Sequence, residues 1–380
     1  MSHSLSRRRF LHGVLGASGA LAVAAACRST AQSAAPLAAP STPPKLLGID
    51  MHNHVYPAGT EPLRPDAPPD PEASSGAALR LADALARSGF TAVCASYVLD
   101  FAPSGAPGDA YASFSRWLDA VDAELAAGHL RRALTAADLE AAAAHGPPTI
   151  VQTVEGAMFI EGALERIDEV HRRGLRALQL LHERDDAVAP LGDTNTAAPH
   201  LGGLSATGAR VIEACNRLGI LVDLAHASHE TVLGALRVAR KPFVISHTSL
   251  AGRPTADAQL AERMRPRLIT AEHAKVVADA GGVIGVWTHL ADSLPDFAQS
   301  IAAMTDAIGV DHVGIGTDTD LLSPRAGHGT TATWVGSTQA PAPTFLDAVV
   351  AELRHHGFHQ DEIERIAGRN YLRVFAAAVG

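Results

Sequence analysis

The chain has 380 residues and a formal net charge of −9 at neutral pH, and 47% of its residues are hydrophobic. This apolar content is enough for a large core, and the length fits one large domain preceded by a short leader. The acidic balance disfavours a nucleic-acid partner, which would need a basic surface.

Residues 1–27 are predicted to be an export signal. The segment Ser6-Arg7-Arg8-Arg9-Phe10-Leu11 resembles a twin-arginine motif and precedes the mildly apolar run Gly13–Ala26. This run is shorter than the roughly 20 residues of a membrane-spanning helix, so a signal is favoured over a transmembrane anchor. The sequence therefore predicts use of the twin-arginine export machinery and a periplasmic location.

Two kinds of processing fit the end of this signal. The run Ala24-Ala25-Ala26 is compatible with an ordinary peptidase cut, or with lipid attachment at Cys27 that would make the chain a membrane-anchored lipoprotein. Residues 28–44, rich in Ala, Ser and Pro, are typical of a flexible linker. The other two cysteines, Cys94 and Cys215, lie in apolar runs and are expected to be buried free thiols.

From residue 45 to residue 380, short apolar runs alternate with stretches of helical spacing. Helical spacing is found over Ala77–Ser88, Phe159–Arg173, Ala206–Leu218, Glu230–Ala239 and Thr270–Ala280, with a closing helix over Phe358–Ala377. The apolar runs are Leu46–His52, Thr91–Val98, Thr149–Glu155, Ala177–His182, Leu221–His226, Phe243–His247, Val283–Thr288 and His312–Asp318. This alternation predicts a parallel sheet buried on both faces, and eight units favour an α/β fold closed into a (β/α)8 TIM barrel.

An open, doubly wound sheet is the alternative. Its usual Gly-rich phosphate turn is missing after the first predicted strand, where His52-Asn53-His54 stands instead, and this favours the barrel. The long connections Val55–Ser75, Phe101–Asp109, Ala187–Ser205 and Thr319–Pro343 all follow strands. They are therefore predicted to lie on the face where barrel enzymes carry their active sites.

Six residues that can bind metal ions or move protons lie at or just past the ends of predicted strands: His52, His54, Glu155, His226, His247 and Asp318. A parallel barrel gathers its strand ends on one face, so these residues are expected to converge. Taken singly, a histidine at such a position is often a hydrogen-bonded core residue, and an aspartate is often a turn cap. With His182 at the end of the fourth predicted strand, six of the eight strands end in His, Glu or Asp, which is hard to explain by chance.

The spacing suggests a role for each residue. His52 and His54 are two apart on a strand, so both can reach one ion. A charged group such as Glu155 at the end of an apolar strand is costly unless it is paired or metal-bound, and it could bridge two ions. His226 and His247 end consecutive strands and could hold a second ion.

Asp318 and His182 are candidates for the chemistry itself. Asp318 ends the last predicted strand, beside the first, where it could accept a proton from a metal-activated water. His182 ends the fourth predicted strand and could contact substrate oxygens, although a hydrogen-bonding core histidine would look the same in the sequence.

These residues and their neighbours resemble the membrane dipeptidase (renal dipeptidase) family of zinc metallopeptidases, in the amidohydrolase superfamily. The resemblance extends from about Leu46 to Phe375 and includes Asp50-Met51-His52-Asn53, Glu155-Gly156, Gly174-Leu175-Arg176, Gly219 to His226, Ser246-His247, Gly281 to Gly285, His312 to Asp318 and Gly368 to Val374.

The resemblance implies a barrel that holds two zinc ions and hydrolyses dipeptides, some of them with a C-terminal D-residue. His52 and His54 match the ligands of the first metal, Glu155 the bridge, and His226 and His247 the ligands of the second. Asp318 matches the acid/base residue and His182 a residue that contacts the substrate. Arg267 lies near the sequence position at which members of the family have the arginine that binds the substrate carboxylate.

Three positions depart from the family pattern. His54 replaces the usual Asp, Leu268 follows Arg267 where Asn is favoured, and Leu321 stands where Gly is usual. Replacing an anionic ligand by a neutral one makes the site one unit more positive. This predicts a more acidic bound water, a weaker nucleophile and an altered metal preference.

The sequence thus predicts a binuclear zinc-dependent hydrolase of dipeptides. One rival is a related amidohydrolase that acts on N-acyl amino acids or lactones, which His54 and Leu268 motivate. Another is a non-catalytic, metal-binding exported protein, which would have no need for Asp318. The oligomeric state is left open, with a homodimer as one option.

Overall fold

The computed structural model describes residues 45–57, 59–60, 81–99, 106–128, 130–144, 146–184, 189–252, 258–321 and 344–380. The predicted export signal, the linker and Cys27 lie outside these residues, as do parts of the four long connections. Within the described part of the chain, no helix combines the length and apolar character needed to cross a membrane.

Parallel strands form one closed sheet. They are β1 (Ile49–His54), β2 (Ala92–Val98), β3 (Arg131–Arg132), β4 (Thr149–Glu155), β5 (Ala177–Gln179), β6 (Leu221–Asp223), β7 (Val244–Thr248), β8 (Val283–Val286), β9 (Val313–Ile315) and β10 (Thr319–Asp320). The order around the barrel is β1-β2-β4-β5-β6-β7-β8-β9, and β9 pairs with β1 at Asp50 and Ile315. The eight predicted strands and the (β/α)8 barrel are confirmed.

Two further strands, β3 and β10, were not predicted. Each has only two residues, too few for any alternating pattern, and they pair with β4 and β1 respectively. The strand β10 continues the line of β9 after a break at residues 316–318, so the chain bends at the mouth of the barrel.

Helices surround the sheet. They are α1 (Leu81–Ser88), α2 (Asp109–Ala126), α3 (Ala136–Ala144), α4 (Glu165–Arg172), α5 (Ala206–Leu218), α6 (His229–Val238), α7 (Ala258–Met264), α8 (Ala271–Asp279), α9 (Leu294–Ile308), α10 (Phe345–His355), α11 (Gln360–Glu364) and α12 (Asn370–Ala378). The prediction for α5 is confirmed at both ends. The serine before it accepts a hydrogen bond from the amide of Gly208, and the glycine after it has a φ of 77°.

Two helix predictions need correction. The predicted helix Phe159–Arg173 is wrong in its first part, because Met158–Ile160 forms a 3-10 turn and α4 begins only at Glu165. Glu161 and Gly162 both have positive φ values, 45° and 80°, which no α-helix accommodates. The closing helix Phe358–Ala377 is divided into α11 and α12 by a π-helical turn at Arg365–Arg369.

The core has two parts. The larger one fills the layer between the strands and the surrounding helices. The smaller one occupies the barrel interior, where Ile49, Met51 and Val151 pack with Tyr371 and Phe375 of α12. The helix α12 therefore fills the interior from one side, and the opposite, C-terminal ends of the strands are left for polar residues. Cys94 and Cys215 are buried free thiols, as predicted.

Strand β1 changes register where it approaches the site. Its pairing with β2 shifts between Asp50 and Asn53, which marks a bulge. The bulge lets Ile49 and Met51 contribute to the inner core while His52 and His54 face the mouth of the barrel.

Candidate metal centre and active site

Glu155 lies in the middle of the side chains that converge at the C-terminal ends of the strands. Its Oε2 atom is 3.4 Å from His52 Nε2 and 3.8 Å from His54 Nε2. Its Oε1 atom is 3.4 Å from the Nε2 atoms of both His226 and His247. Each oxygen of this carboxylate thus faces a different pair of imidazoles, one from β1 and one from the ends of β6 and β7.

Asp318 completes the group on the side of β1. One of its oxygens lies 2.9 Å from His54 Nε2 and 3.8 Å from His52 Nε2, and the other lies 2.7 Å from His289 Nε2. Burial alone would raise the pKa of Asp318, but the nearby histidines, His247 and His289 first, hold it well below its usual value. The carboxylate is therefore ionised and can accept a proton.

His182 lies on the opposite side of Glu155. Its Nε2 atom is 3.5 Å from Glu155 Oε1, and its ring meets that of His226 edge to face at 4.6 Å. The structure therefore brings together seven of the sequence-predicted residues, which we call the strand-end cluster: His52, His54, Glu155, His182, His226, His247 and Asp318.

Two members of the strand-end cluster have a strained backbone. His226 and Asp318 have φ values of 64° and 55°, in the left-handed region that side chains other than glycine rarely adopt. Such strain, typically about 1–3 kcal/mol for a residue, is concentrated at functional sites. Asp318 is held in this conformation by a hydrogen bond from its amide to the carbonyl of His52.

Several neighbours fix the orientation of the imidazoles. Ser246 Oγ lies 2.9 Å from His247 Nδ1 and 3.4 Å from His52 Nδ1, and Tyr56 Oη lies 2.9 Å from His54 Nδ1. The Nδ1 atoms are thereby engaged, and the Nε2 atoms are left to face Glu155. Oriented imidazoles of this kind are the rule at metal sites.

Ser246 is itself held in place. Asp223 accepts a hydrogen bond from the Ser246 amide at 2.9 Å and another from the amide of Ala225 at 3.0 Å. Gly285 and Gly316 lie so close that a Cβ atom on either would come within 1.9 Å of the Ser246 carbonyl oxygen. Only glycine fits at these two positions without moving the strand that carries His247.

The electrostatics of the strand-end cluster favour a cation. Burial alone would raise the pKa of Glu155, but the surrounding histidines, His182 and His52 first, hold it well below its usual value. Burial would lower the pKa of His52, yet Glu155 above all raises it to about 9. For His247, burial and then the charge of His52 lower the pKa well below its usual value.

The residues present fit a metal ion. His52 Nε2 and Glu155 Oε2 are buried, and neither has a hydrogen-bond partner within the described part of the chain. Three overlapping trios have donor atoms within 4.8 Å of one another: His52, His54 and Glu155; His52, His247 and Asp318; and Glu155, His226 and His247. Imidazole nitrogens combined with carboxylate oxygens suit zinc and similar divalent ions.

Arg267 lies in a turn that a hydrogen bond joins to the end of β7. It ends the 3-10 turn Arg265–Arg267, is about one-quarter exposed, and forms an ion pair with Glu183, the residue after His182. Its backbone carbonyl accepts a hydrogen bond from Thr248 Oγ1 at 2.9 Å, which ties the turn to the end of β7. The sequence did not predict that a carboxylate of the chain itself pairs with this guanidinium.

The fold and the strand-end cluster together define a barrel in which candidate metal ligands from several strand ends meet at the C-terminal face. The chain belongs to the membrane dipeptidase family, peptidase family M19, whose sequence model matches residues 82–379. This match contains Glu155 and the later members of the strand-end cluster but begins after His52 and His54. The predicted family is thereby confirmed.

Two fungal relatives are similar in sequence. Dipeptidase verJ of Clonostachys rogersoniana is 28% identical in an alignment 228 residues long that covers 58% of this chain and 53% of the relative. Dipeptidase aclJ of Aspergillus oryzae is 28% identical in an alignment 240 residues long that covers 58% of this chain and 49% of the relative. The chain thus spans about half the length of the curated relatives it matches.

Solved structures share the fold. The probable dipeptidase PvdM of Pseudomonas aeruginosa has a TM-score of 0.68 at 17% identity, over 88% of this chain and 95% of that one. A metallopeptidase from Rhodobacter sphaeroides, solved with a phosphinate mimic of the dipeptide L-Ala-D-Ala, has a TM-score of 0.65 at 20% identity, over 88% of this chain and 99% of that one. At these identities the likeness shows the barrel architecture alone.

Proposed function

We propose that this chain is a metal-dependent dipeptidase whose strand-end cluster holds two zinc ions. The observation that carries the proposal is the division of Glu155 between two imidazole pairs. His52 and His54 would hold one ion, His226 and His247 the other, and Glu155 would bridge them. Zinc bound in this way supplies an acidified water and a polarised peptide carbonyl.

The chain's own residues would perform the remaining steps. Asp318, ionised and within hydrogen-bond distance of His54, accepts the proton of the attacking water and returns it to the leaving amine. His182 donates a hydrogen bond to the oxyanion that forms on the former carbonyl. Arg267 binds the free carboxylate of the dipeptide, and Glu183 holds its guanidinium in position.

The substrate class rests partly on the relatives. The fungal relatives are named dipeptidases, and the Rhodobacter enzyme was solved with a mimic of L-Ala-D-Ala. We therefore propose dipeptides as substrates, including those with a C-terminal D-residue.

Two measurements test this function. The strand-end cluster is expected to hold two zinc ions, and a panel of L,L- and L,D-dipeptides is expected to include substrates. In Asp318→Asn, turnover is expected to fall about 10²-fold or more, because the general base is lost, while the zinc content per chain stays at the wild-type value. Wild-type turnover in that variant would refute the assigned role of Asp318.

A related amidohydrolase activity is the second candidate. It is favoured by the direct contact between His54 and Asp318, which places a neutral ligand beside the acid/base group. If N-acyl amino acids or lactones are hydrolysed at zinc saturation and dipeptides are not, the substrate assignment changes but the metal centre remains.

For its location, we propose export by the twin-arginine route to the periplasm. If the signal is processed by lipid attachment and not by an ordinary peptidase cut, Cys27 is the site of the lipid anchor. Replacing Arg7 and Arg8 by lysines is expected to leave the chain in the cytoplasm. Labelling with a radioactive fatty acid, compared between wild type and Cys27→Ser, tests the anchor. Sedimentation of the purified chain tests the homodimer.

A further inference from the structure

A second group of buried polar atoms lies near the strand-end cluster, in a pocket of about 320 Å³ at the starts of α6 and α8. Its walls include Asn195, His229, Leu268, Glu272 and His273. No member of the strand-end cluster lines this pocket, so its contents would not share donors with the proposed zinc pair.

Three polar atoms of the lining residues are buried without a hydrogen-bond partner within the described part of the chain: Asn195 Oδ1, His229 Nδ1 and His273 Nε2. His273 is only 7% exposed. Its ring meets that of His229 edge to face, with centroids 4.8 Å apart. Burying a polar group without a hydrogen-bond partner is unfavourable, so three such groups around one cavity point to a ligand that binds there.

The chemistry of these groups selects a cation. His229 and His273 each offer a buried imidazole nitrogen, and Asn195 offers an amide oxygen, all without a hydrogen-bond partner within the described part of the chain. Glu272 lines the same pocket, and the Glu230 carboxylate acts electrostatically on His273. Imidazole nitrogens, an amide oxygen and nearby carboxylates suit a divalent transition-metal ion and disfavour an anion.

We propose that Asn195, His229 and His273 bind a divalent cation such as Zn²⁺ at a site separate from the strand-end cluster, with Glu272, which lines the same pocket, as a candidate for an additional ligand. The three donors come from three separate segments: the connection between β5 and α5, the start of α6 and the start of α8. The ion would therefore fasten these segments to one another.

Such an ion would also steady the rim of the active site. The amide of Asn195 donates a hydrogen bond to the carbonyl of His226 at 2.8 Å. Leu268, which follows Arg267, lines the pocket. The ion would thus hold the backbone beside one predicted metal ligand and beside the predicted carboxylate-binding arginine, without touching the reacting atoms.

Zinc stoichiometry tests this site. The full-length chain is stripped with a chelator, equilibrated with low-micromolar Zn²⁺ and freed of excess, and zinc per chain is measured by mass spectrometry. The double variant His229→Gln/His273→Gln is expected to hold one zinc fewer than wild type. His356→Gln, which changes an exposed histidine on another face, is the matched control and is expected to hold the wild-type number. Equal zinc in all three proteins overturns the proposal.

A second measurement covers the case in which the double variant does not fold. Crystals of the wild-type chain, grown at the same zinc concentration, are expected to show anomalous density about 2.0–2.1 Å from His229 Nδ1 and His273 Nε2. Absence of that density, or density only after soaking at high zinc (an adventitious ion only), overturns the proposal. Neither measurement depends on hydrolysis, so the proposed function and this site can fail independently.

Discussion

At the level of single residues, the arrangement around Ser246 explains how the imidazoles are aimed. Its hydroxyl reaches the Nδ1 atoms of both His247 and His52, and Asp223 fixes its backbone. These contacts select the Nε2 atoms as the donors that face Glu155. A residue that never contacts the metal can therefore control how tightly it is held.

We expect Ser246→Ala to weaken zinc binding about 10- to 100-fold, because partners of this kind orient the ligands. Competition with a chromophoric chelator measures the affinity. Ser300→Ala, at a buried serine whose hydroxyl donates to the Asp296 carbonyl of the same helix, α9, is the control and should bind zinc normally. An unchanged affinity in Ser246→Ala would show that the orienting contacts are dispensable.

His289 is expected to position Asp318. In His289→Ala, kcat should fall at least about 10-fold, with smaller effects on KM and none on zinc content, because Asp318 loses its 2.7 Å partner. Partial recovery of kcat in His289→Gln, which can still donate a hydrogen bond, would distinguish positioning from general damage. A change confined to KM would instead place His289 in substrate binding.

The pattern of polar residues at predicted strand ends was enough to identify most residues of the site. His289 follows the predicted strand Val283–Thr288 by one residue, just as His54 follows Leu46–His52 by two, so the same criterion would have found it. The Ser246 contacts and the ion pair between Arg267 and Glu183 could not be predicted, because they depend on side chains from different strands or loops. The division of Glu155 between two imidazole pairs likewise required coordinates.

At the level of elements, the connection between β5 and α5 is organised around one carboxylate. Asp193, only 1% exposed, accepts hydrogen bonds from the amides of His200, Leu201 and Gly203. Burial alone would raise its pKa, but these amides lower it below the usual 3.8. This carboxylate thus orders the segment that presents Asn195.

Asp193→Asn is expected to lower the free energy of unfolding by about 1.5–3 kcal/mol at pH 7, because hydrogen bonds to a charged acceptor are lost. The pKa of Asp193 is lower in the folded state than in the unfolded state. The extra stability of the wild type over Asp193→Asn is therefore present above the unfolded-state pKa of 3.8 and is lost as the pH falls through the folded-state pKa. Urea unfolding at several pH values measures this.

The control for that series is Asp279→Asn, at an exposed carboxylate paired with Lys275 on α8. Its effect should stay within about 0.5 kcal/mol at every pH. If the two variants behave alike, the buried carboxylate does not order the connection.

Helix prediction succeeded where caps and spacing agreed, as in α5, and failed where the backbone turns sharply. The 3-10 turn before α4 is caused by Glu161 and Gly162, whose positive φ values interrupt an otherwise helical pattern of apolar residues. A glycine in a helical pattern is a weak signal on its own, since many helices tolerate one. The preceding glutamate gives no sign of a left-handed conformation.

At the level of the whole molecule, the strand-end cluster draws its members from six strand ends around the barrel. Metal binding to the folded chain alone must therefore stabilise the barrel as a unit. Free zinc at 100 times its dissociation constant would add about 2.7 kcal/mol for one site. We expect chelator treatment to lower Tm by several degrees and added zinc to restore it, as measured by calorimetry.

That experiment has an internal control. A Glu155→Gln variant, which lacks the carboxylate between the two imidazole pairs, should show a much smaller dependence of Tm on zinc. A Tm that does not respond to zinc in the wild-type chain would contradict the proposed metal centre.

The pairing of β1 with β9 has a consequence for how the chain matures. The two strands meet at Asp50 and Ile315, and they bring His52 and His54 to Asp318. Contacts between segments so distant in sequence form slowly during folding. Zinc uptake would then be a late event on the folding pathway and would act as a checkpoint that only a fully synthesised, closed barrel passes.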